Sequence, residues 1–418
     1  MKEHLENRTN RIIERLKILG TISDDKNGIA RFFGSPAHTK AKQVVMNWME
    51  AAGMTVSCDN IGNARGILHS ANINAKHLVI GSHYDTVFDA GKYDGPLGIL
   101  LGIEMVQHIT DNDIKLPFHL NIVAFADEEG GRFNTAYLGS SVLAGNFDDG
   151  WLSRQDEKGI SLQTVIENTG GTIANIANDK IPQKDWLGYY EIHIEQGPVL
   201  CQEDLPVCLV SGIAGQTRVD IKWTGMAGHA GTSPMSMRKD ALCAAAEFTL
   251  AVEALGLKHK EKLVATVGKI IAKPNSSNVI PGFVYCSLDI RSMDDAFLAE
   301  KVEELSKKAN QIAKARNLVC SWQVLQSNSA VECDAQLKDT LRAAIKKTDI
   351  SRLLEIPSGA GHDGVMIAQV APISMLFVRC RDGISHNPLE YSDAEDIKAA
   401  LAAGDHFLKE LKSRSKNN

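Results

Sequence analysis

The sequence predicts an α/β protein in which a main domain with a mostly parallel sheet carries an inserted β-α-β-β-α-β, ferredoxin-like domain. The length of 418 residues exceeds what one hydrophobic core usually serves, so two domains are expected. Short apolar runs alternate with helical stretches toward both ends of the chain, whereas residues 213–326 have a different rhythm. We therefore assign 1–212 and 327–418 to the main domain and 213–326 to the insertion.

The main domain begins with helices and continues as alternating strands and helices. Ile12, Leu16 and Leu19 recur at helical spacing in the first helix, and Gly53 marks the end of the second. The apolar strands that follow are typical of a parallel sheet that helices cover. The predicted elements after the first helix are helices over 36–53, 95–110 and 392–413, and strands over 76–83, 118–130 and 371–380.

The insertion follows the split βαβ order, which forms an open sheet of four strands with two helices on one face. Such a sheet has edges that must be covered or paired. The predicted strands are 217–225, 262–270, 283–291 and 318–324, and the predicted helices are 239–255 and 294–316.

Composition excludes several classes of function. The net charge of −6 and the lack of a long basic run argue against a nucleic-acid partner. No window approaches the roughly 18 consecutive apolar residues of a membrane span, and the charged N-terminus does not resemble a signal peptide. The eight cysteines form no CxxC pair and indicate buried thiols in a reducing compartment. We expect a cytoplasmic protein without a membrane or nucleic-acid partner.

Residues 81–95, GSHYDTVFDAGKYDG, place His83, Asp85 and Asp94 directly after a buried strand. His83 and Asp85 are two residues apart, so in a strand they face the same side. Imidazole and carboxylate groups at the mouth of a buried strand are costly to desolvate unless a partner compensates them. Because ligands gather at the carboxyl ends of parallel strands, this position indicates a binding site.

The same kinds of side chain occur at other predicted strand ends. Glu128 and Glu129 lie in DEEGGRF, His193 lies in YYEIHIEQG, and His386 lies in GISHNP. Each one alone is more readily explained as a solvated loop acid or a core histidine. Together they form a nitrogen and oxygen ligand set without thiolate, which suits zinc, manganese or related divalent ions.

Eight short motifs resemble those of the dinuclear-metal amidohydrolases related to aminoacylases and carboxypeptidases. The resemblance covers nearly the whole chain. Within this family, the chain most resembles the ureido-hydrolysing branch. That branch holds allantoate amidohydrolases, N-carbamoyl-amino-acid hydrolases and β-ureidopropionases. The motifs, in chain order, are GSHYDT…GKYDGPLG, DEEGGRF, HIEQGPVL, GHAGTSPMSMRKDA, NVIPG, LDIRS, SGAGHD and GISHNP.

This resemblance implies two divalent metal ions per subunit, manganese or zinc. It assigns the first ion to His83, Asp94 and His193. It assigns the second ion to Asp94, Glu129 and His386, so that Asp94 bridges the two. Peptidase relatives usually have an aspartate where His193 stands, which favours the ureido branch.

Asp85, Glu128 and His229 complete the catalytic set that the resemblance implies. Asp85 orients its neighbouring ligand. Glu128 accepts a proton from the attacking water and passes it to the departing nitrogen. His229, in GMAGHAGTSP, steadies the developing oxyanion and comes from the partner subunit. Without the resemblance, a lone loop histidine of this kind is more often solvated.

Substrate contacts are expected from both domains. By resemblance, Asn278 and Arg291 bind the substrate carboxylate, Arg291 through its two-pronged guanidinium. Gln216, in AGQTR, supplies the amide donor and acceptor that a second ureido arm needs. Family members frequently have a larger residue at the position of Gly364, so the resemblance does not define the shape of the pocket there. The whole expected set is Gln196, Gln216, His229, Asn278, Arg291, Gly359 and Ala360.

The expected activity is hydrolysis of a ureido C–N bond, with allantoate converted to ureidoglycine, ammonia and carbon dioxide in purine degradation. An N-carbamoyl-L-amino acid hydrolase or a β-ureidopropionase with the same metal site is the alternative. A catalytically idle metal-binding scaffold is a third hypothesis, which the retention of every ligand and of Glu128 disfavours. The resemblance also implies a homodimer formed through the insertion, which serves as a lid.

Overall fold

The computed structural model describes residues 2–415. The chain forms two compact units. The large unit comprises Met1–Ser211 and Glu332–Asn418, and the small unit comprises Gly212–Val331. These limits lie close to the domain limits suggested by the sequence, while the catalytic and lid roles of the two parts stay predictions.

Helices and strands alternate through most of the chain. The helices are α1 Lys2–Gly20, α2 Pro36–Ala51, α3 Pro96–Asp111, α4 Leu138–Ala144, α5 Leu162–Asn168, α6 Val199–Gln202, α7 Ala241–Lys258, α8 Asp295–Ala315, α9 Ala335–Ile345, α10 Gly364–Ile367 and α11 Ala394–Arg414. The strands are β1 Thr55–Cys58, β2 Ala64–Leu68, β3 His77–His83, β4 His119–Phe125, β5 Trp186–Ile194, β6 Val207–Ile213, β7 Gly215–Thr224, β8 Gly228–His229, β9 Val264–Thr266, β10 Ile270–Lys273, β11 Val279–Ile280, β12 Phe283–Ser292, β13 Val319–Asn328, β14 Val331–Glu332, β15 Glu355–Ser358 and β16 Ile373–Val378.

The large unit is organised around a sheet in the order β1-β2-β4-β3-β5-β16-β6-β14, with β15 paired to β6. The four central strands β4, β3, β5 and β16 run parallel. Antiparallel pairing extends this core on both sides, through β2 beside β4 and β6 beside β16. The prediction of an α/β fold with a mostly parallel sheet is confirmed. The antiparallel strands at the two edges of this sheet were not predicted.

Helix α3 occupies the interior of the large unit. It contacts β3, β4 and β5 on one side and α1 and α11 on the other. Glu104, within α3, is fully buried and accepts hydrogen bonds from Arg8 and Arg11 of α1. Because a buried carboxylate is costly unless it is paired, these arginines fix α3 against α1. The N-terminus of α3 is thereby held at the carboxyl-terminal ends of the parallel strands.

The main sheet and the two helices of the small unit follow the predicted β-α-β-β-α-β order, except that one strand is divided, and β8 and β11 form a separate ribbon. The main sheet has the order β10-β12-β7-β13, and β9 also pairs with β12. The single strand predicted over 262–270 is therefore two strands, and the sheet has five strands instead of four. Residues 267–269 oppose only Ser287 and Leu288 between the two registers, so an extra residue forms a bulge that interrupts the strand.

A smaller difference concerns the predicted strand 118–130, which ends at Phe125. The acidic residues after it lie in a loop, where their side chains converge on a site. The eight cysteines are free thiols. Within residues 2–415, no helix combines the length and apolar character that a membrane crossing requires.

Candidate metal centre

Four neighbouring strands bring the predicted ligands to one edge of the large sheet. His83 is the last residue of β3, and His193 lies one residue before the end of β5. Glu129 follows β4 and His386 follows β16, the strands that flank this pair. All four positions lie at carboxyl ends of parallel strands, where open α/β sheets bind their ligands.

Asp94 lies at the centre of this group, and its two carboxylate oxygens face different neighbours. Its Oδ1 lies 3.1 Å from His193 Nε2 and 3.6 Å from His83 Nε2. Its Oδ2 lies 3.0 Å from His386 Nε2, and that nitrogen lies 3.2 Å from Glu129 Oε1. One carboxylate therefore faces two separate sets of ligand atoms.

The two sets have the composition and spacing of metal sites. Donor atoms of His83, Asp94 and His193 lie within 4.8 Å of one another, and so do those of Asp94, Glu129 and His386. Asp94 Oδ1 is buried and accepts no hydrogen bond from the described residues, although two imidazole nitrogens face it. A buried carboxylate oxygen between imidazoles fits a divalent cation, so these residues fit the predicted metals.

The turn before α3 sets the position of Asp94. Gly95 has φ +79°, in the left-handed region that favours glycine. A Cβ at this position would lie 2.4 Å from the His83 carbonyl oxygen and 2.6 Å from its Nδ1. Glycine therefore allows the loop that carries Asp94 to approach the end of β3.

Two non-glycine residues with left-handed backbone lie beside the centre. Gln196 has φ +57° and His386 has φ +52°. Gln196 Nε2 lies 3.1 Å from Asp94 Oδ2 and 3.3 Å from His386 Nε2. Such backbone conformations cost free energy and persist where surrounding contacts hold them, frequently at functional sites. Gln196 is therefore placed against the second ligand set.

Asp85 holds the loop that carries both glutamates. Its Oδ1 accepts the backbone N–H of Glu128 at 3.0 Å, and its Oδ2 accepts that of Glu129 at 3.2 Å. Its Oδ1 also lies 3.3 Å from His83 Nδ1. The carboxylate thus connects His83, at the end of β3, to the loop after β4. From the sequence we expected Asp85 to orient only one neighbouring ligand.

Glu128 is buried beside the ligands without joining the set around Asp94. Its donor atoms come within 4.8 Å of those of His83 and Glu129. Burial and the neighbouring charge of Glu129 raise the pKa of Glu128 well above its usual value, although His83 opposes the shift. A raised pKa increases the affinity of this carboxylate for a proton, so Glu128 can take up the proton that a general base removes from water.

The charges of the ligand residues also suit a cation. Burial alone would raise the pKa of Asp94, but the neighbouring histidines outweigh it and hold that pKa well below its usual value. Asp94 and Glu129 raise the pKa of His386 to about 10. Without a metal ion, protonated imidazole would balance the buried carboxylates. A metal ion would replace these protons, since a ligand histidine must be neutral.

Two of the predicted substrate-binding residues face each other in the small unit. Arg291 of β12 and Gln216 of β7 are direct partners in the strand register. Both donate to Asp289: Gln216 Nε2 lies 2.7 Å from Oδ2, and Arg291 Nε lies 2.8 Å from Oδ1. Arg218 Nε also donates to this carboxylate, at 3.2 Å. Asp289 therefore fixes the orientation of both side chains.

His229 and Asn278 are brought together by a separate two-stranded ribbon of the small unit. His229 in β8 pairs with Val279 of β11, which directly follows Asn278. His229 Nδ1 accepts the backbone N–H groups of Gly231 at 3.1 Å and Thr232 at 3.3 Å. These bonds place the proton of neutral His229 on Nε2, and the side chain is exposed. His229 can therefore present an N–H donor.

Gly359 and Ala360 lie in the loop between β15 and α10 of the large unit. The Ala360 N–H donates to Ser358 Oγ at 3.1 Å, so this turn is held by the preceding serine. His362, two residues further, packs edge-on against His193 with ring centroids 4.5 Å apart. The loop that contains the pair is thereby connected to a predicted ligand.

The structure adds residues that the sequence analysis did not identify. Asp289 lies two positions before Arg291 in the segment LDIRS. Residues two apart in a strand face the same side, so this spacing could have indicated that Asp289 lies beside Arg291. Glu390 is buried and contacts the backbone of Asp94, although 296 positions separate the two residues in the chain. No local pattern reveals such a contact.

Comparison with known proteins assigns the family. Residues 79–410 match the model of Peptidase family M20/M25/M40. The chain belongs to the M20 family. Allantoate deiminase 1 of Glycine max is 40% identical over 430 residues, covering 96% of this chain and 89% of the relative. The protein is thus a hydrolase that acts on C–N bonds.

Other M20 relatives have different substrates in their names. The N-carbamoyl-L-amino acid amidohydrolase of Geobacillus stearothermophilus is 36% identical over 407 residues, covering 96% of this chain and 98% of the relative. The crystal structure of an amidase of the hydantoinase/carbamoylase family from Burkholderia multivorans matches with a TM-score of 0.87 and 32% identity. That match covers 96% of this chain and 97% of the other. The fold is therefore that of this group of amidases.

We predict that Glu128→Gln retains metal and loses turnover. The amide keeps the shape of the side chain but cannot accept a proton, so kcat should fall on the order of 100- to 10,000-fold. Metal content after dialysis and kcat on ureido substrates measure the two effects separately. Glu129→Gln is the matched control, because it alters a proposed ligand next to Glu128 and should lose metal. Loss of metal from Glu128→Gln would make Glu128 a ligand and contradict its assignment as the base.

Proposed function

We propose that the protein hydrolyses a ureido C–N bond at a pair of divalent metal ions, manganese or zinc. The observation that carries this proposal is the position of Asp94, whose two oxygens face two different ligand sets. His83 and His193 complete the first set. Glu129 and His386 complete the second set.

The residues around this centre can divide the reaction between them. A metal pair held by the two ligand sets would supply Lewis-acid polarisation of the ureido carbonyl and would lower the pKa of the attacking water toward neutrality. Glu128 takes the proton of the attacking water and delivers it to the departing nitrogen. Asp85 keeps Glu128 and His83 in place through its hydrogen bonds. His229 donates its Nε2–H to the oxyanion that develops on the carbonyl carbon.

We propose allantoate as the substrate, which would yield ureidoglycine, ammonia and carbon dioxide. Arg291 binds the substrate carboxylate, together with Asn278. Gln216 lies directly opposite Arg291, so it can meet a ureido arm attached to the same carbon as that carboxylate. One N–H of its amide is directed to Asp289, and its carbonyl oxygen can accept from the ureido nitrogen. The name of the Glycine max relative supports this choice.

The second candidate is an N-carbamoyl-L-amino acid hydrolase. The named activity of the Geobacillus stearothermophilus relative, which this chain covers almost completely, favours it. Such a substrate has one ureido group and a side chain in place of the second arm. Gln216 would then have no ureido partner, which distinguishes the two candidates.

We predict that Gln216→Leu lowers kcat/KM for allantoate more than for N-carbamoyl amino acids. Loss of one hydrogen bond to the second ureido arm should reduce the ratio of the two on the order of tenfold. Ammonia or amino-acid release from both substrates, with manganese and with zinc, gives the ratio. Both substrates are measured on one variant, so a general loss of folded protein lowers both equally. An unchanged ratio, or faster turnover of N-carbamoyl amino acids by the wild type, would favour the second candidate.

We further propose a cytoplasmic homodimer that forms through the small unit. The edge strand β13 has exposed apolar residues, including Val319, Val324 and Leu325. An edge of this kind pairs readily with another strand. In this arrangement, the small unit serves as a lid and His229 acts in the active site of the partner chain. The free cysteines are consistent with a reducing compartment.

We predict that two inactive variants complement each other. His229→Ala should lose on the order of 100- to 1,000-fold in kcat, as expected for one oxyanion donor. Mixed with Glu128→Gln under conditions that exchange subunits, it should regain about a quarter of wild-type activity, because half the dimers are mixed and each has one complete site. Size-exclusion chromatography with two affinity tags verifies the mixed dimers. Mixed dimers without activity would show that His229 does not act across the dimer.

A further inference from the structure

Glu390 is a buried carboxylate in the segment between β16 and α11, with 2% of its surface exposed. Its Oε1 accepts the backbone N–H of Tyr93 at 2.8 Å and that of Asp94 at 3.0 Å. Its Oε2 accepts the hydroxyl of Ser385 at 3.0 Å. One side chain therefore connects the loop before α3 to the loop after β16.

These two loops carry the residues that the second ligand set depends on. Asp94 is the proposed bridge between the metals, and Ser385 directly precedes His386. Because His386 has a left-handed backbone, its position depends on surrounding contacts to hold it. The hydrogen bonds of Glu390 are contacts of this kind, and they reach Asp94 and the neighbour of His386 at the same time.

The fit around Glu390 leaves no space for a side chain at Gly91. A Cβ at Gly91 would lie 2.2 Å from Glu390 Oε1 and 2.4 Å from Glu390 Cβ. The backbone of Gly91 does not have a positive φ, so its conformation alone does not require glycine. The close approach of Glu390 is therefore the physical reason for glycine at this position.

We propose that Glu390 is a positioning residue that sets the distance between Asp94 and His386 and so assembles the metal pair. This inference rests on the proposed dinuclear site. Glu390 belongs to neither proposed ligand set and acts through the backbone of Asp94 and through Ser385. Residues that orient metal ligands from outside the coordination sphere typically contribute 10- to 100-fold to metal affinity or activity.

A carboxylate suits this position better than an amide. Both of its oxygens accept hydrogen bonds, so one can serve the two backbone N–H groups while the other serves Ser385. A glutamine would have only one acceptor oxygen for the same three donors. Its NH₂ group would face either the Tyr93 and Asp94 N–H groups or the serine hydroxyl, which can rotate to accept.

The test measures stepwise manganese affinity by chelator competition, which does not depend on turnover. Glu390→Ala should weaken both ions on the order of 10- to 100-fold, and Glu390→Gln should weaken them less. Ser385→Ala removes the bond to Glu390 and the bond that Ser385 Oγ accepts from Gln196 at 3.3 Å, but leaves the bond between Glu390 and the Asp94 N–H intact. It should therefore weaken the ion held by His386 more than the other. At saturating manganese, Glu390→Gln should recover kcat, whereas a variant with a damaged fold would not.

Glu195→Gln is the matched control. Glu195 is also buried and accepts two consecutive backbone N–H groups, those of Val199 at 2.7 Å and Leu200 at 2.8 Å. These donors belong to α6, which carries no proposed ligand. Glu195→Gln should therefore leave both manganese affinities within about twofold of wild type.

Gly91→Ala gives an independent measure of the same contact. The added methyl group should displace Glu390 and weaken manganese binding in the wild-type background. With Glu390→Gly already present, the methyl group no longer meets a side chain at position 390, neither the carboxylate nor Cβ, and should cost little more. Contacting residues are expected to show such non-additive effects in a double-mutant cycle.

Three outcomes separate this inference from the proposed function. If the wild type binds two manganese ions and Glu390→Ala binds both as tightly, Glu390 does not position the site. Additive losses in the Gly91→Ala and Glu390→Gly cycle would contradict it in the same way. If the wild type does not bind two ions, the dinuclear site itself is wrong, and the inference about Glu390 is wrong with it.

Discussion

The two ligand sets of the large unit depend on the position of the Asp94 carboxylate. A single residue faces His83 and His193 with one oxygen and His386 with the other. These partners come from three different parts of the chain and meet because parallel strands end at a common edge. Helix α3, held by the buried Glu104, positions Asp94 against that edge. The sheet and the helix are therefore the means by which distant residues form two ligand sets around one carboxylate.

Burial makes this arrangement costly without a cation. Asp85, Asp94, Asp127 and Glu128 are all buried near the same loops. Carboxylates removed from water need opposite charge, or they take up protons. Accordingly, burial raises the pKa of Asp127 well above its usual value, and the charge of Asp85 raises it further. Two divalent ions would offset the ligand charges and leave positive charge for an anionic intermediate.

The sequence was sufficient to predict the features that local patterns encode. Helix α2 ends beside Gly53 as expected, and β3 ends at His83, because turn chemistry and apolar runs are local signals. The ligands follow such strand ends, so they could be proposed together before their distances were known. The bulge between β9 and β10 was not predicted, since it depends on the register with β12.

Long-range contacts cannot be predicted from local sequence patterns. Glu390 reaches Asp94 across most of the chain, and Asp289 holds Gln216 from the neighbouring strand. Neither glutamate nor aspartate is distinctive by itself, and only the fold shows what each one contacts. Gly91 illustrates the same point, because its backbone is ordinary and the neighbouring Glu390 alone explains it.

The bridging role of Asp94 is tested most sharply by locating the metals with and without this residue. Crystals of the wild type and of Asp94→Ala, equilibrated with the same manganese concentration, can be measured by anomalous diffraction at the manganese edge. Two manganese peaks per chain are expected in the wild type, beside His193 and beside His386, and both peaks should weaken together in Asp94→Ala. Loss of one peak with the other at full strength would show that Asp94 binds a single ion and does not bridge two.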